Sequence, residues 1–247
     1  MIRVENIEVW GFEHAIRGLR NPMNSWSKSD SHRCEWQLSE KCNDCRKLNA
    51  DNTGVCESDR EFYCIGENDL NLMKRLYKAG TEHRKYLRQI FVSMDITAPL
   101  YFWKQADQYK VGTVTNSCST MHKITAKPFE LNDFSCEHLL VGEKLETIIQ
   151  WLNDYREMYV NWDDSSVHVD DYGNVVKKKD IWWQMIQLLP SSYNQRRTIT
   201  MNYENVFSII KQRTGHKLTE WNELVEILKT LPYVKEIGGM NEKQLCH

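Results

Sequence analysis

The sequence predicts a helix-dominated α+β fold, and three features of its apolar pattern predict it. Leu145, Ile148, Ile149, Leu152, Tyr155, Tyr159 and Trp162 trace one helical face over about five turns. Near the middle, Ile90, Val92, Met94 and Ile96 alternate with Phe91, Ser93 and Asp95, the period of a strand over residues 89–97. Toward the C-terminus helical spacing returns, in Val206, Phe207, Ile209 and Ile210 and again in Leu218, Trp221, Leu224, Val225, Leu228 and Leu231.

Taken in order, residues 1–12 alternate loosely through Ile2, Val4, Ile7 and Val9 and suit an edge or first strand. Residues 13–33 are mixed, with a turn at Asn21-Pro22. Residues 34–64 are polar, poor in aliphatic side chains and hold five of the eight cysteines, which reads as an insertion within one domain spanning 1–247. Leu70, Met73, Leu76 and Tyr77 follow helical spacing up to Gly80, placed as a C-terminal cap. Ala98-Pro99 suits a strand-to-helix junction with proline in the first turn, and the helix beyond holds Tyr101, Phe102, Trp103 and Gln105. Asp170 to Asn174 is a turn. Lys177-Lys178-Lys179, beside Asp170, Asp171 and Asp180, reads as solvated turn as well. Helices follow near 179–189, stopped by Pro190; through 206–210, ended near Gly215; and through 218–231, ended near Pro232.

Composition narrows the function classes. The 32 basic and 34 acidic residues leave a formal net charge of −2, without the concentrated basic face that nucleic acid requires. No stretch approaches the roughly 18 apolar residues of a membrane span. The N-terminus lacks an apolar signal core, so the expected location is cytoplasmic and the thiols are expected to be reduced. Within 34–64, Cys42 and Cys45 form a Cys-x2-Cys pair, half of a zinc site. Structural zinc and free thiols with occasional disulfides are both compatible with it.

Two separated segments carry a family resemblance. The first runs Asp95-Ile-Thr-Ala-Pro-Leu-Tyr-Phe-Trp-Lys-Gln105 and continues through Gln108-Tyr109-Lys110 to Asn116-Ser117-Cys118-Ser119. The second runs Leu188-Leu-Pro-Ser-Ser-Tyr-Asn-Gln-Arg-Arg-Thr-Ile-Thr-Met-Asn202 and continues to Arg213. Together they resemble the flavin-dependent thymidylate synthase family. In that family a strand ends at Ala-Pro, a helix with a glutamine follows, and then come an Arg-His-Arg triplet and a serine. Farther on, a Leu-Pro precedes Thr-x-Asn and a helix closing on arginine. Gln105, Ser119, Pro190, Asn202 and Arg213 match, Ser119 with one residue inserted before it. The triplet stands here as Gln108-Tyr109-Lys110, and Ser117 replaces a glutamate.

The resemblance implies a small antiparallel sheet among helices, a homotetramer, and methylation of dUMP with methylenetetrahydrofolate as carbon donor and NADPH, through FAD, as hydride source. It implies no protein nucleophile, because the flavin supplies the driving chemistry. Carried over residue by residue, it gives Gln105, Ser119 and Arg213 to the nucleotide and Gln108, Tyr109, Lys110 and Asn202 to the flavin, with Ser119 and Lys110 nearest the chemistry. A lysine supplies a point charge where arginine would supply a bidentate fork, and Arg196 and Arg197 are candidates to restore the missing cations. The plainer readings stand beside these: a solvated helix end for Tyr109 and Lys110, a helix-dipole partner for Arg213, and a spectator thiol for Cys118. A noncatalytic relative that binds nucleotide or flavin, or acts as an interaction module, is the rival from another class.

Overall fold

A computed structural model describes residues 2–33 and 63–240. Along the chain the elements are β1 (Arg3–Trp10), α1 (Phe12–Arg20), β2 (His32–Arg33), β3 (Tyr63–Cys64), α2 (Glu67–Ala79), β4 (Phe91–Pro99), α3 (Leu100–Ala106), β5 (Thr113–Ser117), α4 (Thr120–Lys123), α5 (Glu143–Val160), β6 (His168–Val169), β7 (Val175–Val176), α6 (Lys178–Leu188), β8 (Asn194–Asn202), α7 (Tyr203–Arg213), α8 (Thr219–Lys229) and α9 (Val234–Gly238). Helices with small antiparallel sheets are the expected class. Four strands form one sheet in the order β1-β4-β8-β5, which leaves β1 at an edge. The chain divides into two units. One holds Met1–Asn6, Met94–Ile199 and Gly215–Leu224; the other holds Ile7–Ser93, Thr200–Thr214 and Val225–His247.

In the first unit β4 alternates as its sequence requires, with Met94, Ile96 and Ala98 buried. Pro99 closes the strand and is the N-cap of α3, so it stands just ahead of the first turn rather than inside it. Helix α5 lays Leu145, Ile149 and Leu152 against α6, where Met185 is buried, and Ile124, Phe129 and Phe134 complete that core. It ends at Val160, so Trp162 falls beyond it, packed instead on the His168 ring. Strands β6 and β7 pair across the turn expected at Asp170–Asn174. The three lysines do not form a separate turn. Lys177 is the N-cap of α6 and Lys178 begins the helix, its ammonium over the Tyr159 ring at 4.9 Å.

In the second unit the stretch read as mixed contains α1, with Phe12, Ala15, Ile16 and Leu19 buried. The helix starts from Gly11, whose φ of 97° only glycine adopts freely; a Cβ there would run into the Gln89 carbonyl oxygen. Arg20 is buried too, because it forms an ion pair with the fully buried Asp69 of α2 at 2.7 Å. Two serine hydroxyls, Ser29 and Ser31, also donate to that carboxylate, fixing the chain between α1 and β2. Gly80 caps α2 as expected. The helix expected through Leu231 ends at Lys229, and Tyr233 at φ 61° turns the chain into α9, which the periodicity did not reveal.

The 34–64 segment meets the described residues only at Tyr63 and Cys64, which pair antiparallel with Arg33 and His32. The zinc-ligand candidates Cys42 and Cys45 lie outside the described residues. Among the described residues no group of three or more His, Cys, Asp or Glu side chains could hold a metal, and no helix is long and apolar enough to cross a membrane.

Candidate functional site

The two resembling segments, about ninety residues apart in sequence, are knitted together in the first unit. The opening N–H groups of α3 have no side-chain cap; they donate to carbonyls of the second segment, Leu100 to Tyr193 and Tyr101 to Ser191, each at 3.0 Å. Trp103 is buried, and its indole N–H reaches both Ala98 O at 2.9 Å and Gln195 O at 3.0 Å. Cys118 N–H donates to Arg196 O at 3.0 Å. The Gln195 amide nitrogen donates to Cys118 O and to the Thr120 hydroxyl, fixing the turn that carries Ser119.

Gln105 lies on the last turn of α3, where its side-chain oxygen accepts the Trp221 indole N–H at 3.0 Å. Tyr109 follows just past the helix, its ring 5.8 Å from that of Trp221. Trp221 is itself buried and packs on Phe102 at 4.6 Å. Gln108 and Lys110 flank Tyr109 with exposed side chains. The helix end before them is held by Arg197, which donates to Asp107 at 2.6 Å and to Gln195 Oε1 at 2.9 Å while its guanidinium lies 4.3 Å from the Trp103 ring.

Ser119 is the N-cap of the short helix α4. Its hydroxyl accepts from the His122 backbone N–H and shares a 2.6 Å hydrogen bond with His122 Nδ1. It opens onto a cavity of about 630 Å³ whose cations are Arg3, Lys123, Lys127 and Arg196, against one carboxylate, Asp133. Lys127 pairs with Asp133 at 2.7 Å, and that hydrogen bond raises the ammonium pKa. Arg196 is engaged with Asp95 at 2.7 Å. Asp95 also accepts from Thr198 and Asn6, and these bonds, Thr198 first, with the Arg196 charge hold its carboxyl well below the usual range. Phe129 and Tyr193 supply aromatic walls. Burial pushes the Tyr193 phenol up. Thr97 Oγ1, also lining the cavity, is buried without a hydrogen-bond partner among the described residues. Three of its four cations are paired, Arg3 with Glu5, Lys127 with Asp133 and Arg196 with Asp95, so a flat anionic ligand such as a nucleotide or a flavin nucleotide would meet Lys123 and the aromatic walls.

The second unit holds the remaining two candidates. Asn202 is the N-cap of α7, its side-chain oxygen accepting from Asn205 N–H at 3.1 Å, and Arg213 is the last residue of the same helix. That unit has its own cavity of about 440 Å³, lined by His14, Arg17, Gly18, Asn21, Trp26 and Gln89.

Sequence reasoning missed several residues that build the first unit's site. Lys123 and Lys127 belong to no motif, and Thr97, although inside the first resembling segment, carried no assigned role. Trp221 was legible only as one apolar position on a helix. Glu220 beside it is buried, accepting a hydrogen bond from the Tyr101 hydroxyl. Burial, then the bond to Glu220 and its charge, pushes the Tyr101 phenol up.

No protein-family model matches the chain, and no curated protein sequence matches it. Solved structures do. Thymidylate synthase X (ThyX) from Helicobacter pylori, solved with FAD and dUMP, aligns over 100% of both chains with a TM-score of 0.60 and 13% identity. A second structure of flavin-dependent ThyX from Helicobacter pylori, also complexed with FAD and dUMP, gives a TM-score of 0.58 at 12% identity over 94% of this chain and 96% of the other. The UMP/dUMP methylase PolB from Streptomyces cacaoi, bound with 5-Br UMP, gives 0.52 at 12% identity over 97% and 94%. At such identities the likeness is one of fold: this chain has the fold seen in those thymidylate synthases and in that methylase.

Proposed function

We propose that the protein is a flavin-dependent methylase of uridine nucleotides, converting dUMP to dTMP with methylenetetrahydrofolate as carbon donor and NADPH as reductant. The observation that carries this reading is the knitting of the two resembling segments around α3, within a full-length fold likeness to proteins solved with FAD and dUMP. Gln105, Ser119 and Arg213 take the nucleotide. Gln108, Tyr109, Lys110 and Asn202 hold FAD, which when bound relays hydride from NADPH to the carbon unit. Lys110 contributes its positive charge beside the reacting rings, and the Ser119 hydroxyl fixes the nucleotide by hydrogen bonding. Arg197 serves the site by holding the end of α3 through Asp107. A homotetramer is part of the proposal, supported by the apolar side chains that α5 and α6 leave exposed, among them Trp151 at 51% and Trp183 at 41%.

A ribonucleotide substrate is the second reading, favoured by the likeness to a UMP/dUMP methylase and by the replaced triplet. The test is the visible absorption spectrum of the purified protein, titrated with dUMP and then UMP. Flavin bands near one per chain that shift on adding either nucleotide support the proposal, and the tighter nucleotide decides between the two readings. A colourless protein that takes up no added FAD defeats both and leaves the noncatalytic relative.

A further inference from the structure

The cavity beside Ser119 is graded from an apolar floor to a polar rim. Ile2, Ile124 and Phe129 line it and are buried, whereas Ser119, Lys123 and Lys127 line it and are exposed. Thr97 of β4 lines it as well, and its Oγ1 is buried without a hydrogen-bond partner among the described residues. A hydroxyl can donate once and accept twice, and burying one unpaired opposes folding. At the rim, Arg3, Lys127 and Arg196 are each engaged by a carboxylate, and Lys123 has no such partner among the described residues. The two unpaired groups therefore differ in kind, one a buried neutral hydroxyl and the other an exposed charge. Phe129 and Tyr193 add aromatic faces, and about 630 Å³ lies in the range that small ligands occupy. An apolar floor with one hydroxyl suits a flat ring with a polar edge. An exposed ammonium suits the anionic end of the same molecule.

We propose that Thr97 and Lys123 bind the two ends of the uridine nucleotide, the Thr97 hydroxyl meeting a polar atom of the pyrimidine ring and the Lys123 ammonium meeting the phosphate. This rests on the proposed nucleotide site and adds to it two binding residues and which end of the ligand enters first. Thr97 makes the cavity selective, because a ligand that leaves its hydroxyl unpaired keeps that cost of burial in the complex. Lys123, a hydrated point charge at the rim, adds an attraction that weakens with salt.

The test combines two variants with two ligands, dUMP and deoxyuridine, which lacks the phosphate. Thr97→Val keeps the shape of the side chain and removes the hydroxyl. Without ligand it melts about 3 °C higher than wild type, because no unpaired hydroxyl is then buried. With FAD added, it binds dUMP and deoxyuridine each about fivefold more weakly, the worth of one hydrogen bond. Thr97→Ser, which keeps the hydroxyl, binds both as wild type does. Stability gained while binding is lost marks a residue that serves the ligand; a structural threonine loses both together, and a lower melting temperature in Thr97→Val overturns the proposal. Lys123→Ala weakens dUMP about fivefold at low salt, less as salt is raised, and leaves deoxyuridine unchanged. Equal losses of dUMP and deoxyuridine in Lys123→Ala overturn the assignment of the ends. A Thr97→Val protein that loses FAD but keeps its dUMP affinity gives the cavity to the flavin and also overturns it. If wild type binds dUMP and neither substitution alters that, this proposal falls and the nucleotide reading stands. If wild type binds neither dUMP nor UMP, the nucleotide reading falls and takes this proposal with it.

Discussion

Gln105 and Lys110 are five residues apart and live in different physical worlds. Gln105 is held by Trp221, above a packed set of aromatic rings formed by Phe102, Trp103 and Trp221. Lys110, beyond the end of α3, is exposed and has no partner among the described residues. Where this chain matches the family, at Gln105, the residue is braced from behind. Where it departs, at Gln108-Tyr109-Lys110, two of the three side chains are exposed, and changing them disturbs no core. The difference teaches that the departures at Gln108 and Lys110 are permitted by the fold and must be judged by ligand chemistry, whereas Tyr109 also packs on Trp221.

Mutation can break that contrast from either side. The largest effect belongs to Trp221→Ala, which empties a buried site and removes the indole donor; it lowers unfolding free energy by about 3–5 kcal/mol, read by urea denaturation. A loss below about 1 kcal/mol would mean that α3 is not braced as described. Arg197→Ala comes next, at about 1–2 kcal/mol, since its guanidinium holds Asp107 and Gln195 and covers Trp103, while Asp107 is 54% exposed and its share is screened. If Arg197 instead served only as a ligand cation, stability would not change and flavin affinity would fall.

Asp95 gives the pH dependence. Its folded carboxyl lies below the ordinary 3.8, so its bonds to Thr198, Arg196 and Asn6 stabilise fully above that pH. They are lost as pH falls from about 4 toward the lower folded value. Wild-type melting temperature therefore drops more steeply below about pH 4 than that of Asp95→Asn; parallel acid limbs would remove Asp95 as the cause. The smallest stability effect is Lys110→Ala, within about 0.5 kcal/mol, paired with weaker flavin binding. Lys110→Arg, which supplies a bidentate fork, tightens flavin binding. If neither substitution changes flavin affinity, Lys110 is a solvated helix end.

The sequence revealed those elements whose own apolar period is regular. Helix α2, strand β4 and helix α5 each bury a clean stripe, so their positions could be read within a few residues. Helix α1 hid because Arg20 is buried, and only the distant carboxylate of Asp69 makes that tolerable. Strand β8 hid behind Arg196 and Arg197, with only Ile199, Met201 and Asn202 buried, and β5 buries no residue. The proposed site was legible only as a resemblance, at Gln105, Ser119, Asn202 and Arg213. The Trp221 contact was not, because it joins residues 116 positions apart and no local pattern encodes it. Lys123 and Lys127 were hidden for the same reason, because a cavity gathers them beside Thr97 from a separate stretch of chain.

The measurement that tests the central claim most directly is release of tritium from dUMP labelled at C5 of the uracil ring. Methylation at C5 replaces that C–H bond, so the hydrogen must leave for water. The account predicts tritium release by the FAD-loaded protein that requires NADPH and methylenetetrahydrofolate together and is abolished in Gln105→Leu. A protein that binds FAD and dUMP yet releases no tritium above a protein-free control contradicts it, and makes the chain a nucleotide-binding relative rather than a methylase.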